Sequence, residues 1–203
     1  MSTSPLRADL QIIADWIRPN SRVLDLGCGE GELLDYLQRE KGVQAYGIEL
    51  DEERIAVALR RGISVLQQDL DSGLRQFASN SVDTVVLSLT LQAVHYPREL
   101  LLEMLRVGRE GIVTFPNMGH WRARWQLGLG GRMPMTHVLP HSWYDTPNIH
   151  LCTIRDFDAL CRENRIEVRE RMVLDDRRRS TAPNRIWPNL LAELALYRCA
   201  RPD

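Results

Sequence analysis

Two hydrophobic periods take turns along this chain. Leu6, Leu10, Ile13 and Ile17 recur at helical spacing behind Ser4 and Pro5, which read as a helix start, and that helix is expected to end before Pro19. From Arg22 the period switches back and forth. A strand runs to Leu26 and a helix to about Lys41, with Leu33, Leu34 and Leu37 on one face; a strand follows over 44–49. Another helix starts near Asp51 with Ile55 and Leu59 buried, then come a third strand over 63–68 and a fourth over 82–89. The fourth, VDTVVLS and onward, is almost continuously apolar, as in strands buried on both faces of a parallel sheet. Pro97 opens a helix carrying Leu101, Leu102 and Leu105, and GIVTFP is the fifth strand. TIRDFDALCREN is a helix capped by Thr153, and IEVRERMVL and AELALYRC are two last strands suited to an antiparallel hairpin at the sheet edge. Arg177 to Arg179, with Pro183 and Asn184, mark an exposed loop. Strand–helix alternation of this kind predicts an α/β fold: a doubly wound, mostly parallel, seven-stranded sheet with helices on both faces, in one domain over 1–203.

The sharpest local signal is RVLDLGCGEG at 22–31. A short buried strand ends near Asp25, and Gly27, Gly29 and Gly31 form a tight loop into a helix. Such a loop lets a ligand touch bare backbone and aims a helix N-terminus at it. About twenty residues on, YGIEL ends the second strand with Glu49, placed to hold ribose hydroxyls. The spacing is GxGxG after an Asp, not the GxGxxG of dinucleotide proteins. A pyrophosphate would be repelled by a carboxylate at the lip of the loop. S-adenosylmethionine (SAM) has no phosphate and carries an ammonium and a sulfonium, so Asp25 would favour it. ISVLQQDLD reads as a third strand ending in Asp69, where a carboxylate can accept the exocyclic amine of an adenine; by itself such an Asp is as well suited to a turn or helix cap. The candidate cofactor-binding set is Asp25, Gly27, Cys28, Gly29, Glu49, Leu50, Asp69, Leu70 and Ser88, the last at the carboxyl end of the fourth strand with Leu89 and Thr90.

The segment 117–150 departs from the alternation. It holds three of the five Trp and four of the five His, with several Gly and Pro, and only the part near 121–129 has helical character. So long an irregular stretch is expected to be a lid, a binding loop or an interface, and Trp, Tyr, Arg and Met are the types enriched at interfaces. Composition adds exclusions. A net charge of −1 gives no global field favouring nucleic acid or membrane. No apolar run of transmembrane length and no signal pattern is present, so a soluble, cytoplasmic location is expected. Cys28, Cys152, Cys161 and Cys199 are scattered without a CxxC pair and are expected to be reduced; Cys28, inside the loop, reads as a small residue that fits there.

Catalytic chemistry is not announced. Methyl transfer needs an aligned nucleophile and a base only if that nucleophile is protonated. His95, His120, His150 and Asp145 could serve, but none sits in a substrate-naming signature, and the catalytic residue stays unknown. His137 and His141 are separated by four positions with Pro140 between them, and no HExxH occurs, so no metal site is expected. There is no GxSxG elbow and no phosphate-binding GxxxxGK[ST] loop. Trp121, Arg122, Arg124 and Trp125 mix aromatic and basic residues as nucleic-acid binders do, but one such patch in a neutral chain fits a helix face better.

Over nearly its whole length the chain resembles the MetW family of bacterial methionine-biosynthesis proteins. The stretches that carry the resemblance are RADLQIIADWI, RVLDLGCGEGELL, RRGISVLQQDLDSGL, VVLSLTLQAV and EMLRVG, and more specifically FPNMGHWRAR, GRMP and WYDTPNIHLCTIRDF. The resemblance implies a class I, Rossmann-like methyltransferase fold, with Asp25, Gly27, Gly29, Glu49 and Asp69 at SAM-binding positions. It also implies a place beside homoserine O-acyltransferase (MetX-like), which activates homoserine for sulfur incorporation by acetyl or succinyl transfer. Two functions stay open: a SAM-binding partner that supports the acyltransferase through 117–150, and a SAM-dependent methyltransferase acting on a small molecule. S-adenosylhomocysteine would occupy the same site as SAM in either.

Overall fold

The computed structural model describes residues 6–136 and 138–201. Ser4, Pro5 and His137, which carried two of the sequence readings, lie outside them. Seven strands run in the order β3-β2-β1-β4-β5-β7-β6: β1 (Arg22–Leu26), β2 (Gln44–Glu49), β3 (Ser64–Gln67), β4 (Val82–Ser88), β5 (Gly108–Pro116), β6 (Glu167–Leu174) and β7 (Leu194–Ala200). β1 pairs in parallel with both β2 and β4, β2 in parallel with β3, and β6 antiparallel with β7 at the edge. This is the doubly wound, mostly parallel sheet that the hydrophobic pattern predicts.

The chain forms two compact units, residues 1–88 with 98–112, and residues 89–97 with 113–203; β5 runs from the first into the second. The first unit is the βα alternation: α1 (Ala8–Trp16), α2 (Glu32–Lys41), α3 (Glu52–Arg60) and α4 (Pro97–Val107) around β1 to β4. Its core is aliphatic, with Leu24, Leu26, Leu34, Leu37 and Ile48 fully buried. α2 owes its position to two left-handed glycines, Gly31 before it and Gly42 after it. Acidic Glu32 and Asp35 in its first turn and basic Arg39 and Lys41 in its last complement the helix dipole. The Lys41 ammonium also donates to the carbonyls of Ala14 and Ile17, tying down the end of α1.

The second unit holds α5 (Trp121–Gly128), α6 (Ile154–Glu163), α7 (Ala182–Ile186) and α8 (Pro188–Leu191) with β6, β7 and the end of β5. Its centre is aromatic. Phe115, Phe157 and Tyr197 are buried with ring centroids 4.7–5.7 Å apart, and the Tyr197 hydroxyl donates to Asp158 Oδ1 at 2.7 Å. α6 begins in a capping box in which Thr153 and Asp156 satisfy each other's backbone N–H groups, as the sequence predicts.

Three local expectations fail. Leu59 is 55% exposed, because the buried stripe of α3 passes through Ala58 instead. The third strand stops at Gln67, and Asp69 begins a 3-10 turn rather than ending a strand. Pro183 and Asn184 are not in an exposed loop: they lie in α7, and Asn184 is buried.

Candidate active site and family

Parallel pairing sends the carboxyl ends of β3, β2, β1 and β4 to one edge of the first unit. Sequence order runs outward from β1 through β2 to β3, then returns to β4 on the other side of β1, so the winding reverses beside β1. Ligand crevices form at such a reversal. Gln67, Glu49, Asp25 and Ser88 lie at or near the ends of these four strands, with Asp69 just beyond.

The loop after β1 is built on backbone. The N–H groups of Gly27 and Cys28 donate to the Ile48 carbonyl at 2.8 and 3.0 Å, which moors the loop to the end of β2. Gly29 has φ +56°, and a Cβ added there would meet no atom within 4 Å, so the loop turns a bare, unobstructed peptide outward. Gly47, on β2 behind the loop, serves the opposite purpose: a Cβ there would overlap Cys28 Sγ and come within 3.1 Å of Cys28 Cβ. Cys28 therefore fills a packing role, and burial beside two carboxylates pushes its thiol far above the ordinary range.

Glu49 is buried and already organised. Its Oε2 accepts from Gly29 N at 2.8 Å, and its Oε1 accepts from Leu50 N at 2.8 Å and Asp51 N at 3.1 Å. One carboxylate thus joins the glycine loop to the turn into α3. Asp25 is different. Its Oδ1 is buried and receives no hydrogen bond. Burial, and secondarily the Glu49 charge, raise its pKa to about 7. An orphaned carboxyl oxygen beside a second carboxylate is a cation-seeking arrangement, and its charge sign is wrong for a phosphate.

The remaining predicted residues are placed less decisively. Leu50 is exposed, Leu70 and Ser88 half-buried, and Asp69 exposed with its Oδ1 accepting from Asp71 N at 2.9 Å. Asp69 is thus a turn cap, as its type alone allows. The four candidate bases all belong to the second unit. His150 Nε2 lies 3.2 Å from the His95 carbonyl, and Asp145 is exposed. His120 is buried at the start of α5, where its Nδ1 accepts from Arg122 N at 3.4 Å. Burial first, then Arg122, lower its pKa to about 4, so its 3.8 Å approach to Glu193 is not an ion pair near neutrality. No residue set for nucleophilic or metal-assisted chemistry is assembled among these. Sequence reasoning missed Asn117, a buried hub in the second unit. Its Nδ2 donates to the Ala192 carbonyl at 2.7 Å, and its Oδ1 accepts from Gly119 N and Ile154 N. The signal was an Asn directly after an apolar strand.

This architecture defines the class. An S-adenosylmethionine-dependent methyltransferase of Mesorhizobium loti superposes with a TM-score of 0.70 at 17% identity, covering 96% of this chain and 98% of that one. A SAM-dependent methyltransferase of Archaeoglobus fulgidus gives 0.68 at 16%, over 95% and 91%. The cyclase SpnF gives 0.67 at 16%, over 95% and 80%, so the shared fold hosts different chemistries. The fold is that of the class I SAM-dependent methyltransferases. The family model of the methionine biosynthesis protein MetW matches residues 7–199, and the chain belongs to that family. The bifunctional methionine biosynthesis protein MetXA/MetW of Rhodopirellula baltica is 36% identical over 201 residues, 94% of this chain but 32% of that protein. A ubiquinone biosynthesis O-methyltransferase of Hahella chejuensis is 32% identical over 117 residues, 55% of this chain and 48% of that protein. The chain spans about a third and about half of the lengths of these two relatives.

Proposed function

We propose that this member of the MetW family binds SAM in the first unit and supports a MetX-like homoserine O-acyltransferase as a partner subunit. One observation carries the partner half of this reading: a relative holds MetXA and MetW in a single chain. Fusion sets a high effective concentration of one part for the other, an advantage only where the parts work together. Segment 117–150 is the interface insertion of the domain on this reading.

For the cofactor half, Asp25 Oδ1 would take the ammonium of SAM, Glu49 the ribose hydroxyls, and Gly27, Cys28 and Gly29 the chain between them; Leu50 and Leu70 would flank the adenine near Asp69, and Ser88 would close the edge. SAM supplies, when bound, a methyl group on a positively charged sulfur. Glu49 needs no rearrangement at Oε2, which accepts only the Gly29 amide and keeps a second lone pair, while Oε1 is already taken by Leu50 N and Asp51 N. Asp25 Oδ1 is held without a donor, and an ammonium placed there would supply one.

The test is acyltransferase activity of the purified cognate enzyme with and without an equimolar amount of this chain. A clear rise, with co-elution, supports the reading. Neither rise nor co-elution turns it toward the second reading, a SAM-dependent methyltransferase on a small molecule, which the similarity to the ubiquinone O-methyltransferase favours. That reading requires S-adenosylhomocysteine release with a defined acceptor.

A further inference from the structure

Trp is a costly residue to leave in water, yet four of the five Trp are exposed, and all four belong to the second unit: Trp121 at 46%, Trp125 at 63%, Trp143 at 73% and Trp187 at 65%. Trp121 and Trp125 stand four apart on α5 and so share a side of it. Trp187, with exposed Ile186, forms the corner between α7 and α8, outside 117–150.

Buried polar groups lock these two places to each other. Asn117 Nδ2 donates to the carbonyls of Asn189 at 3.2 Å and Ala192 at 2.7 Å, and its Oδ1 accepts from Gly119 N at 3.0 Å. A Cβ on Gly119 would lie 2.8 Å from the Asn189 backbone oxygen, so the two backbones are in contact. Arg122, on the first turn of α5, reaches Asp176 at 3.2 Å and Glu193 at 3.5 Å. The tryptophans therefore stand on a rigid support, which lowers the ordering cost of binding.

Charge selects the occupant. From 111 to 144 there is no Asp or Glu, while Arg122, Arg124 and Arg132 fall inside that stretch. Arg132 and, beside the Trp187 corner, Arg185 are exposed and form no ion pair among the described residues. The cations nearest Trp121 and Trp125 are already engaged: Arg122 by carboxylates and Arg124 by the Gly119 carbonyl at 2.6 Å. Arg122 is thus charge-paired, whereas Arg124 keeps its positive charge, because a neutral carbonyl accepts its hydrogen bond without cancelling it; the aromatic centre is bordered by the cations of Arg124, Arg132 and Arg185. In a chain of net charge −1, three unpaired cations bordering an aromatic centre match a protein face with an apolar centre and acidic rim better than a polyanionic strand, which calls for a wide basic field.

We infer that α5 and the corner at Ile186 and Trp187 form one docking surface, and that its occupant is a protein face apolar at its centre and acidic at its rim. The inference rests on the function proposed above, in which the acyltransferase carries that face. It adds that the interface extends past 117–150 to residues 186–187.

The experiment is the Kd of the full chain for its cognate acyltransferase, by titration calorimetry at low and high salt, for the wild type, Trp125→Ala, Trp187→Ala and the double variant Arg132→Glu, Arg185→Glu. Thermal melts of each variant check folding, and Trp187→Phe keeps the ring where Ala fails to fold. The expected result is about tenfold weaker binding or more for each Trp truncation. The charge reversal should weaken binding and remove its salt dependence. If the wild type binds but Trp125→Ala and Trp187→Ala bind as tightly, the surface is overturned while the partner reading stands. Binding insensitive to both salt and charge reversal overturns the acidic rim. No wild-type binding removes the reading and this inference together. Loss of self-association or of oligonucleotide binding, rather than acyltransferase binding, in Trp187→Ala would also overturn it, by naming a different occupant.

Discussion

A carboxyl oxygen at Asp25 that nothing donates to has a cost that depends on pH. Its pKa is near 7 in the fold against an ordinary 3.8, so between those values the folded chain holds the proton that the unfolded chain has lost. Stability from this group therefore falls as pH rises through that window and stays low above it. His120 acts the other way: with its pKa lowered to about 4 it stays neutral where the unfolded imidazole protonates, so its contribution rises with pH up to about 6.5. Comparison of wild type with Asp25→Asn separates the two, since both chains keep His120. We expect Asp25→Asn to be more stable than wild type by about 1–3 kcal/mol near pH 8, with the advantage gone near pH 4. Urea denaturation at the two pH values measures it, and an equal difference at both would mean Asp25 titrates normally. The same variant should bind SAM more weakly. Gly47 gives a second residue-scale prediction. Gly47→Ala should cost about 1–3 kcal/mol by driving a methyl group into Cys28, and Cys28→Ala in the same chain should return most of that loss. A double-mutant cycle that proves additive would refute the contact.

Among the elements, two polar devices hold the start of α6, one exposed and one buried, and their expected costs differ. Thr153→Ala removes a cap from an exposed helix end and should cost about 1 kcal/mol. Asn117→Ala strands the N–H groups of Gly119 and Ile154 and should cost about 2–4 kcal/mol. Because Asn117 belongs to the second unit, Asn117→Ala should leave SAM affinity within about twofold while weakening the partner complex, as separate titrations would reveal. A SAM affinity that collapses with it would put Asn117 in the wrong role. Legibility also divides by element. β1, β2, β4, α2 and α4 could be read because each buries a clear period, and with them the placement of Asp25 and Glu49 near strand ends; β3, which buries no residue, and α3, which buries only Ala58, could be read only in outline. Asp69 is less legible: its Oδ1 caps a turn, and its short side chain suits that role as well as the adenine contact proposed for it. Pro183 looks like a breaker, as does Pro188, and that look puts Pro183 and Asn184 in a loop. Each proline instead occupies the first turn of a short helix, where proline's missing N–H costs nothing, and Asn184 Oδ1 accepts from Thr181 N at 2.9 Å. Trp187 then emerges at a corner that no periodicity marks.

At the scale of the whole molecule, the proposed cofactor site lies in one unit and the proposed docking surface in the other, with β5 passing through both. Separate sites make separable losses: Glu49→Gln should weaken SAM binding yet leave the acyltransferase complex intact, and Trp187→Ala should do the reverse. Regulation is a further claim. SAM is made from methionine, the product of the pathway in which the chain's family is placed, so SAM could report product to the pair. For it to do so, SAM must prefer the free or the complexed chain. Linkage then demands reciprocity: whatever factor the acyltransferase imposes on SAM affinity, SAM imposes on acyltransferase affinity. We expect a factor of about 5–150, the range of ordinary coupling free energies. Calorimetric titration of SAM into the free chain and into the complex gives one side of the cycle, and assembly of the complex with and without saturating SAM gives the other. Two equal factors different from unity would establish feedback. A factor of one on both sides would leave the SAM site and the docking surface as independent features of one fold.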